Sequence, residues 1–359
     1  MSRTTIDEVA KAAGVSKATV SRVLSGNHKH LRTSTRLRVE KAIQALNFRP
    51  SSVARSLTSK RTHTVGVLVA DISNPFYPDV FHGIEDSALK QGYSVFLCNT
   101  NYDLARGKHY IQSLIDKRVD GVLIMTSSFS QEWLVELERS NVPVILLDWE
   151  IQTRGQNLST IAVDFQRGIQ AAVEHLVQWG HRRFAHVGGP PHLQTSKDRR
   201  TAFLQAVAAQ GIDPATVPVI DGNLRIDGGR QAMHELLSLP ELPTALFAAN
   251  DLTALGVLLE TRAHGIAVPE QLSVIGLDDI WLAAQSDPPL TTVALPRYEI
   301  GQLAMRLFFE LLEKPRADYI EVVSTLVRTT LVVRGSTGPA PTGEAPVRVG
   351  AGCKLPAQS

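Results

Sequence analysis

Carboxylates, amides, hydroxyls and aromatic rings recur in this 359-residue sequence at the ends of short apolar runs. Asp71, Ser73, Asn74, Phe76 and Tyr77 follow V-G-V-L-V-A, Ser127 and Ser128 follow G-V-L-I-M, and Asp148 and Trp149 close V-I-L-L-D-W. Asp164 comes next, then Asp198 with Arg199, Asn250 with Asp251, and Asp278, Asp279 and Trp281. Carboxylates and a guanidinium fork beside aromatic faces suit a polyhydroxylated molecule, whose hydroxyls need charged partners and whose C–H faces stack on rings. Each residue also has a purely structural reading. Asp164 and Asp251 suit helix N-caps, Asn74-Pro75 a turn, and Asp278-Asp279 a solvated strand end.

Catalytic signatures are missing: no G-x-G-x-x-G follows the first apolar run, and P-loop, G-x-S-x-G and H-E-x-x-H patterns do not occur. The H-x-H pair of His28 and His30 lacks companion acids or cysteines, so no metal site, cofactor or enzymatic activity is expected. Two cysteines, Cys98 and Cys353, are too few for a disulfide framework.

A second set of residues points to different chemistry. Thr5 can cap a helix from Ile6 to Ala13 with Asp7 and Glu8 in its first turn, and Gly14 stops it. Ser16 caps a second helix in which Val20, Val23 and Leu24 recur at helical spacing, leaving Lys17, Ala18, Ser21 and Arg22 on another face. Helix, tight turn, helix is the arrangement whose second helix enters the major groove of DNA, although glycine-joined helix pairs also occur in ordinary bundles. Charge favours DNA. Up to Thr62 there are thirteen Lys and Arg against three Asp and Glu, so this head carries +10 and, with +2 overall, the body carries −8. In that reading Lys17, Ala18 and Arg22 contact bases, while Thr5, Ser16, Thr19 and Ser21 position the DNA backbone.

Three segments in order, T-I-D-E-V-A-K-A-A-G-V-S-x-A-T-V-S-R-V-L, T-R-L-R-V-E-K-A-I and P-S-S-V-A-R-S-L, resemble the lactose-repressor family of bacterial transcription regulators. Further matches are V-A-D-I-S-N-P-F-Y, G-H-R-R-F-A-H-V-G-G-P, D-R-R-T-A-F, A-A-N-D-L-T-A-L-G, V-I-G-L-D-D and P-P-L-T-T-V. The resemblance implies paired hinge helices over Ser51 to Thr58 that enter the minor groove, with Leu57 as the wedge and Arg55 beside it. It also implies that Arg199, Asn250 and Asp278 bind an effector, with Phe76, Asp164 and Ser127 as neighbours. Leu224 stands where some relatives carry a stacking aromatic ring, and Trp149 where an Arg commonly follows the Asp, so stacking is expected from Trp149 or Trp281.

The expected fold is α/β: an all-α helix-turn-helix head (residues 1–50), a hinge helix and linker (51–62), and a two-lobed receptor of doubly wound parallel sheets (63–334) like a periplasmic binding protein. Alternation of apolar runs with amphipathic helices from Thr64, and its restart near Thr160, supports two such units facing one cleft. Lobe 1 is expected over 63–161 and 295–322, lobe 2 over 162–294 and 323–334. The Gly/Pro-rich stretch from Gly335 to Ser359 is expected to be disordered. With 43% apolar residues the chain can fill these cores, and no apolar run reaches the roughly 18 residues of a membrane span.

The reading that joins both halves is a cytoplasmic regulator, expected to be a repressor and a homodimer. It binds an inverted-repeat operator in double-stranded DNA under control of a sugar or sugar acid, with no membrane partner. A purine or nucleoside corepressor is the alternative; a sugar-binding protein without a transcriptional role leaves the basic head without a use.

Overall fold

The structure is a computed structural model that describes residues 4–24, 31–48, 61–126, 128–147, 157–313 and 323–342. It divides into two units, the first ending at His63.

The head contains α1 (Ile6–Ala13), α2 (Lys17–Leu24) and α3 (Thr33–Ala45). Thr5 and Glu8 form a reciprocal capping box, which satisfies amide groups that the first turn of α1 leaves open. Gly14 ends α1 at φ 62°, a left-handed conformation that a residue without Cβ adopts at little cost. Val9, Ala10, Ala13, Val20, Val23, Val39, Ala42 and Phe48 form the core of this unit. Arg32 occupies the N-cap position of α3 and makes no side-chain capping bond.

The second unit begins with β1 (Thr64–Val69), α4 (Phe76–Lys90), β2 (Ser94–Asn99), α5 (Leu104–Asp116), β3 (Gly121–Met125), α6 (Gln131–Arg139), β4 (Val144–Leu147) and β5 (Leu158–Asp164). A second series follows: α7 (Phe165–Gln178), β6 (Phe184–Val187), α8 (Gln194–Ala209), β7 (Val219–Ile220), α9 (Ile226–Leu236), β8 (Ala245–Ala248) and α10 (Asp251–Ala263). The described elements end with β9 (Ser273–Asp278), α11 (Trp281–Gln285), β10 (Thr291–Ala294), α12 (Arg297–Glu313), β11 (Val323–Arg328) and β12 (Thr330–Val332).

Two six-stranded sheets result, ordered β11-β5-β4-β3-β1-β2 and β12-β10-β9-β8-β6-β7. The first is parallel throughout; in the second, β12 alone runs antiparallel to its neighbour β10. Strands β3 and β4 are buried along their whole length, as central strands covered by helices on both faces must be. Helix α12 packs along α4, so the last long helix returns to the first lobe.

Two boundaries differ from expectation. β11 pairs with β5 in the first sheet, placing residues 323–328 in lobe 1, and the chain enters lobe 2 only at β12. The segment after Gly335 is also packed as far as it is described. The Ser336 hydroxyl donates to the Val274 carbonyl at 2.6 Å and accepts from the Thr291 amide at 2.8 Å. His181 and Gly338 are joined at 3.0 Å, and the Ser273 hydroxyl accepts from the Gly338 amide at 3.1 Å. A Gly/Pro-rich segment needs no core of its own when its polar groups complete the edge of another.

Candidate DNA-reading helix and ligand cleft

In the head, α2 presents Lys17, Ala18, Ser21 and Arg22 to solvent, with Thr19 half-buried at its start. The Ser16 hydroxyl accepts from the Thr19 amide at 3.3 Å and lies 3.0 Å from the Thr19 hydroxyl, fixing the first turn of the helix. Lys17 pairs with Asp7 of α1 at 2.6 Å, but both side chains are more than half exposed. Such a pair contributes at most about 1 kcal/mol, so a phosphate can displace Asp7 at little cost. Thr5 is engaged in capping α1.

In the second unit a cavity of about 60 Å³ opens where the strands of both sheets end. Thr126 follows β3, Leu147 ends β4 and Val163 lies near the end of β5; Asn250 follows β8, Asp278 ends β9 and Leu295 follows β10. Carboxyl ends of parallel strands are where open α/β sheets hold ligands. Four aromatic rings, Phe76, Tyr77, Tyr102 and Phe165, share the wall with Asn74, Met125, Thr195, Arg199 and Leu224. The Arg199 guanidinium lies 4.6 Å from the Phe165 ring centre and donates to the Ala249 carbonyl at 2.9 Å. Its Nε is buried and has no hydrogen-bond partner among the described residues. Such a donor costs free energy unless something in the cleft accepts from it.

Asp278 and Asp279 take φ of 118° and 55°, so the chain turns sharply at the end of β9. Asp278 is buried, not a solvated strand end, and Asp279 is paired with Arg334 at 2.6 Å. Behind them lies the fully buried Asp251, which accepts from the Thr292 hydroxyl and the Ile280 amide. Burial, together with the charge of Asp278, pushes its carboxyl up to about 7.

The lobes touch across the mouth of the cleft. Arg225, just before α9, donates to Asp71 through Nε at 2.9 Å and through a terminal nitrogen at 2.7 Å, and that nitrogen also reaches Asn101 at 2.8 Å. Burial raises the Asp71 carboxyl, but the Ser73 hydroxyl and the Arg225 guanidinium outweigh it and hold the group below its ordinary value. Asn101 and Tyr102 both have left-handed backbone, φ 53° and 59°. That pair of turns sends Tyr102 from lobe 1 onto Leu193, Leu224 and Ala249 of lobe 2. Burial pushes its phenol up to about 12.

Residues 5–51 match the family described as bacterial regulatory proteins, lacI family, and residues 173–337 match the periplasmic binding protein-like domain. The HTH-type transcriptional repressor PurR of Aliivibrio salmonicida (strain LFI1238) is 36% identical over 307 residues, 85% of this chain and 91% of that protein. The chain belongs to the lacI family. It is therefore a DNA-binding transcriptional regulator with a small-molecule-binding domain. Its similarity extends to the structure of the lac repressor dimer bound to operator and the anti-inducer ONPF, with a TM-score of 0.82 and 28% identity over 94% of this chain and 100% of that one. A lacI-family regulator from Enterococcus faecium with bound ribose aligns with a TM-score of 0.69 and 30% identity, over 77% of this chain and 99% of that one.

Of the effector residues that the lacI-family resemblance implied, Phe76, Arg199, Asn250 and Asp278 line the cavity. Asp164 does not; it caps α7 through the Arg167 amide, as its structural reading had it, while its neighbours Val163 and Phe165 face the cavity. Trp281 is 61% exposed at the start of α11 and takes no part in the wall. Ser127, Trp149, Arg55 and Leu57 lie outside the described residues. Among the described residues, ring surface beyond that of Phe76 comes from Tyr77, Tyr102 and Phe165. Of these, Tyr77 was among the strand-end residues read from sequence, whereas Tyr102, Phe165 and the cleft-spanning Arg225 were not.

Proposed function

We propose that this regulator is a repressor that binds an inverted-repeat operator as a homodimer, and that its cleft takes a sugar or sugar acid. Two-fold symmetry follows from the short reach of one recognition helix, which reads only a few base pairs. The observation that carries the effector class is the buried, unpartnered Nε of Arg199 set beside Asp278 and four aromatic rings. A hydroxylated ring with an acidic or hydroxyl group offers both the acceptor for Arg199 and the donors for a carboxylate. The ribose-bound relative supports the same class.

A cavity of about 60 Å³ is well below the roughly 150 Å³ that admits a benzene ring, so any ring-sized ligand has to part the lobes or their side chains. Where the lobes part, binding works against the contact of Arg225 with Asp71 and Asn101. The same narrow, four-ring wall favours a second reading, a planar purine or nucleoside held between aromatic faces.

Calorimetry of the full chain against sugars, sugar acids, nucleosides and purine bases separates the two. A sugar or sugar acid that binds the parent chain and loses at least about tenfold in affinity in Arg199→Ala is the expected result, since a charged hydrogen bond contributes roughly 1.5–3 kcal/mol. Tight purine binding with no sugar response overturns the choice of class.

A further inference from the structure

On the outside of the second lobe, α9 and α10 lie unusually close. Gly229 and Gly256 face each other, and a Cβ on Gly229 would fall 2.1 Å from the Thr253 carbonyl oxygen. No side chain separates the two backbones there, so α9 carries His234 to the end of α10. His234, Glu260 and His264 each offer one ligand atom, and the three atoms lie within 4.8 Å of one another.

The two residues of α10 and its cap are held in register. The His264 Nδ1 lies 3.0 Å from the Glu260 carbonyl oxygen, which holds the ring beside the Glu260 carboxylate; a metal at the site takes the place of the Nδ1 proton, and Nε2 carries the ring proton instead. Arg230 fixes the Glu260 carboxylate by donating to Oε2 at 3.0 Å, leaving Oε1 on the side of His264, 3.6 Å from its Nδ1. Glu260 is 9% exposed and therefore has few other conformations. The His234 ring lies 6.1 Å, centre to centre, from that of His264 and is exposed, so it can rotate to close the set.

We propose that His234, Glu260 and His264 form a binding site for a divalent cation of borderline softness, of the Zn²⁺, Co²⁺ or Ni²⁺ class, linking α9 to α10. Two imidazoles and one carboxylate are a ligand set of that class, not of Ca²⁺ or Mg²⁺, which take oxygen cages. Zn–N distances of about 2.0–2.1 Å require the three atoms to draw in from their present spacing, which rotation of the exposed His234 supplies. The fourth position faces solvent and takes water. Sequence reading gave no hint of the site, because its histidines are 30 residues apart and meet only through the packing of two helices.

The test uses tag-free, chelator-treated full-length protein, titrated with Zn²⁺ in the calorimeter and with Co²⁺ by visible absorption. One equivalent per chain is expected, with affinity lowered at least about tenfold in both His234→Ala and His264→Gln. His28→Ala/His30→Ala should bind as the parent does, which separates this site from the H-x-H pair of the head. His234 is exposed, so His234→Ala should retain the parent's circular dichroism and melting temperature without metal. Zn²⁺ binding that persists in His234→Ala, that is lost in the His28/His30 variant, or that is absent from the parent overturns the proposal.

Discussion

Asn250 shows how a residue can stand at a site with its chemistry already committed. Its amide nitrogen donates to the Leu224 carbonyl at 2.9 Å, and its oxygen accepts from the Thr253 amide at 2.9 Å. It caps α10 and pins Leu224, whose φ of 64° aims that side chain at the cavity wall. Its neighbour Asp251 yields a prediction. With an ordinary value of 3.8 and a folded value of about 7, this carboxyl keeps its proton in the folded protein after the unfolded chain has released it. Its contribution to stability is therefore full below pH 3.8 and lost as pH rises through about 7. Asp251→Asn has no proton to lose, so the parent's melting temperature should fall relative to the variant between pH 4 and 7. A difference between the two that is constant over that range would contradict a buried, proton-retaining Asp251. Phe76 and Asp278 were legible as strand-end residues because each comes at or just after the close of an apolar run, whereas Arg199, inside α8, was legible as an effector contact only through the lacI-family resemblance. Tyr102 and Arg225 were not legible, since their positions depend on a left-handed loop and on contact between lobes distant in sequence.

Elements were legible where they carry their own punctuation. Thr5, Gly14 and Ser16 mark the ends of α1 and the start of α2, and the structure places α1 over the expected Ile6–Ala13. Alternation of apolar runs and amphipathic helices likewise gave both doubly wound sheets. What failed was the crossing near Thr329, where β11 and β12 are separated by one residue yet belong to different sheets. Nothing local marks that change, because each strand is selected by a neighbour, β5 or β10, far away in the chain. The segment after Gly335 failed for a related reason: composition describes what a segment can bury by itself, and this one is held by hydrogen bonds to Ser273, Val274 and Thr291. For α2 the exposed face makes a direct test possible. Arg22→Ala should cost about 1–3 kcal/mol in operator affinity and relax preference at a single base pair, if the guanidinium reads a base edge. An equal loss on every DNA sequence, measured by competition binding, would make Arg22 a phosphate contact instead.

At the scale of the whole chain, a head of +10 joined to a body of −8 favours DNA contact by the head over contact by the body. The link between effector and operator then has to pass through residues 51–60, which join the two units and lie outside the described residues. The helix that the resemblance implies over Ser51 to Thr58 has eight residues, fewer than the roughly 12–15 that an isolated helix needs in water. If residues 51–58 fold as paired helices only on the operator, as the resemblance implies, operator affinity includes the free energy of folding two such helices, and separating them weakens binding. On the proposed reading, the contact of Arg225 with Asp71 and Asn101 is where an effector that parts the lobes would act on lobe 1, the lobe that follows the linker in the chain. A coupling of about 1–3 kcal/mol changes affinity roughly 5- to 150-fold. Leu57→Gly removes the expected minor-groove wedge and lowers helix propensity while leaving α2 untouched. Operator binding by the full chain, followed by fluorescence anisotropy, should collapse, and effector binding by the same preparation should match the parent. A variant that binds operator as the parent does and still responds to effector would make residues 51–58 a passive tether.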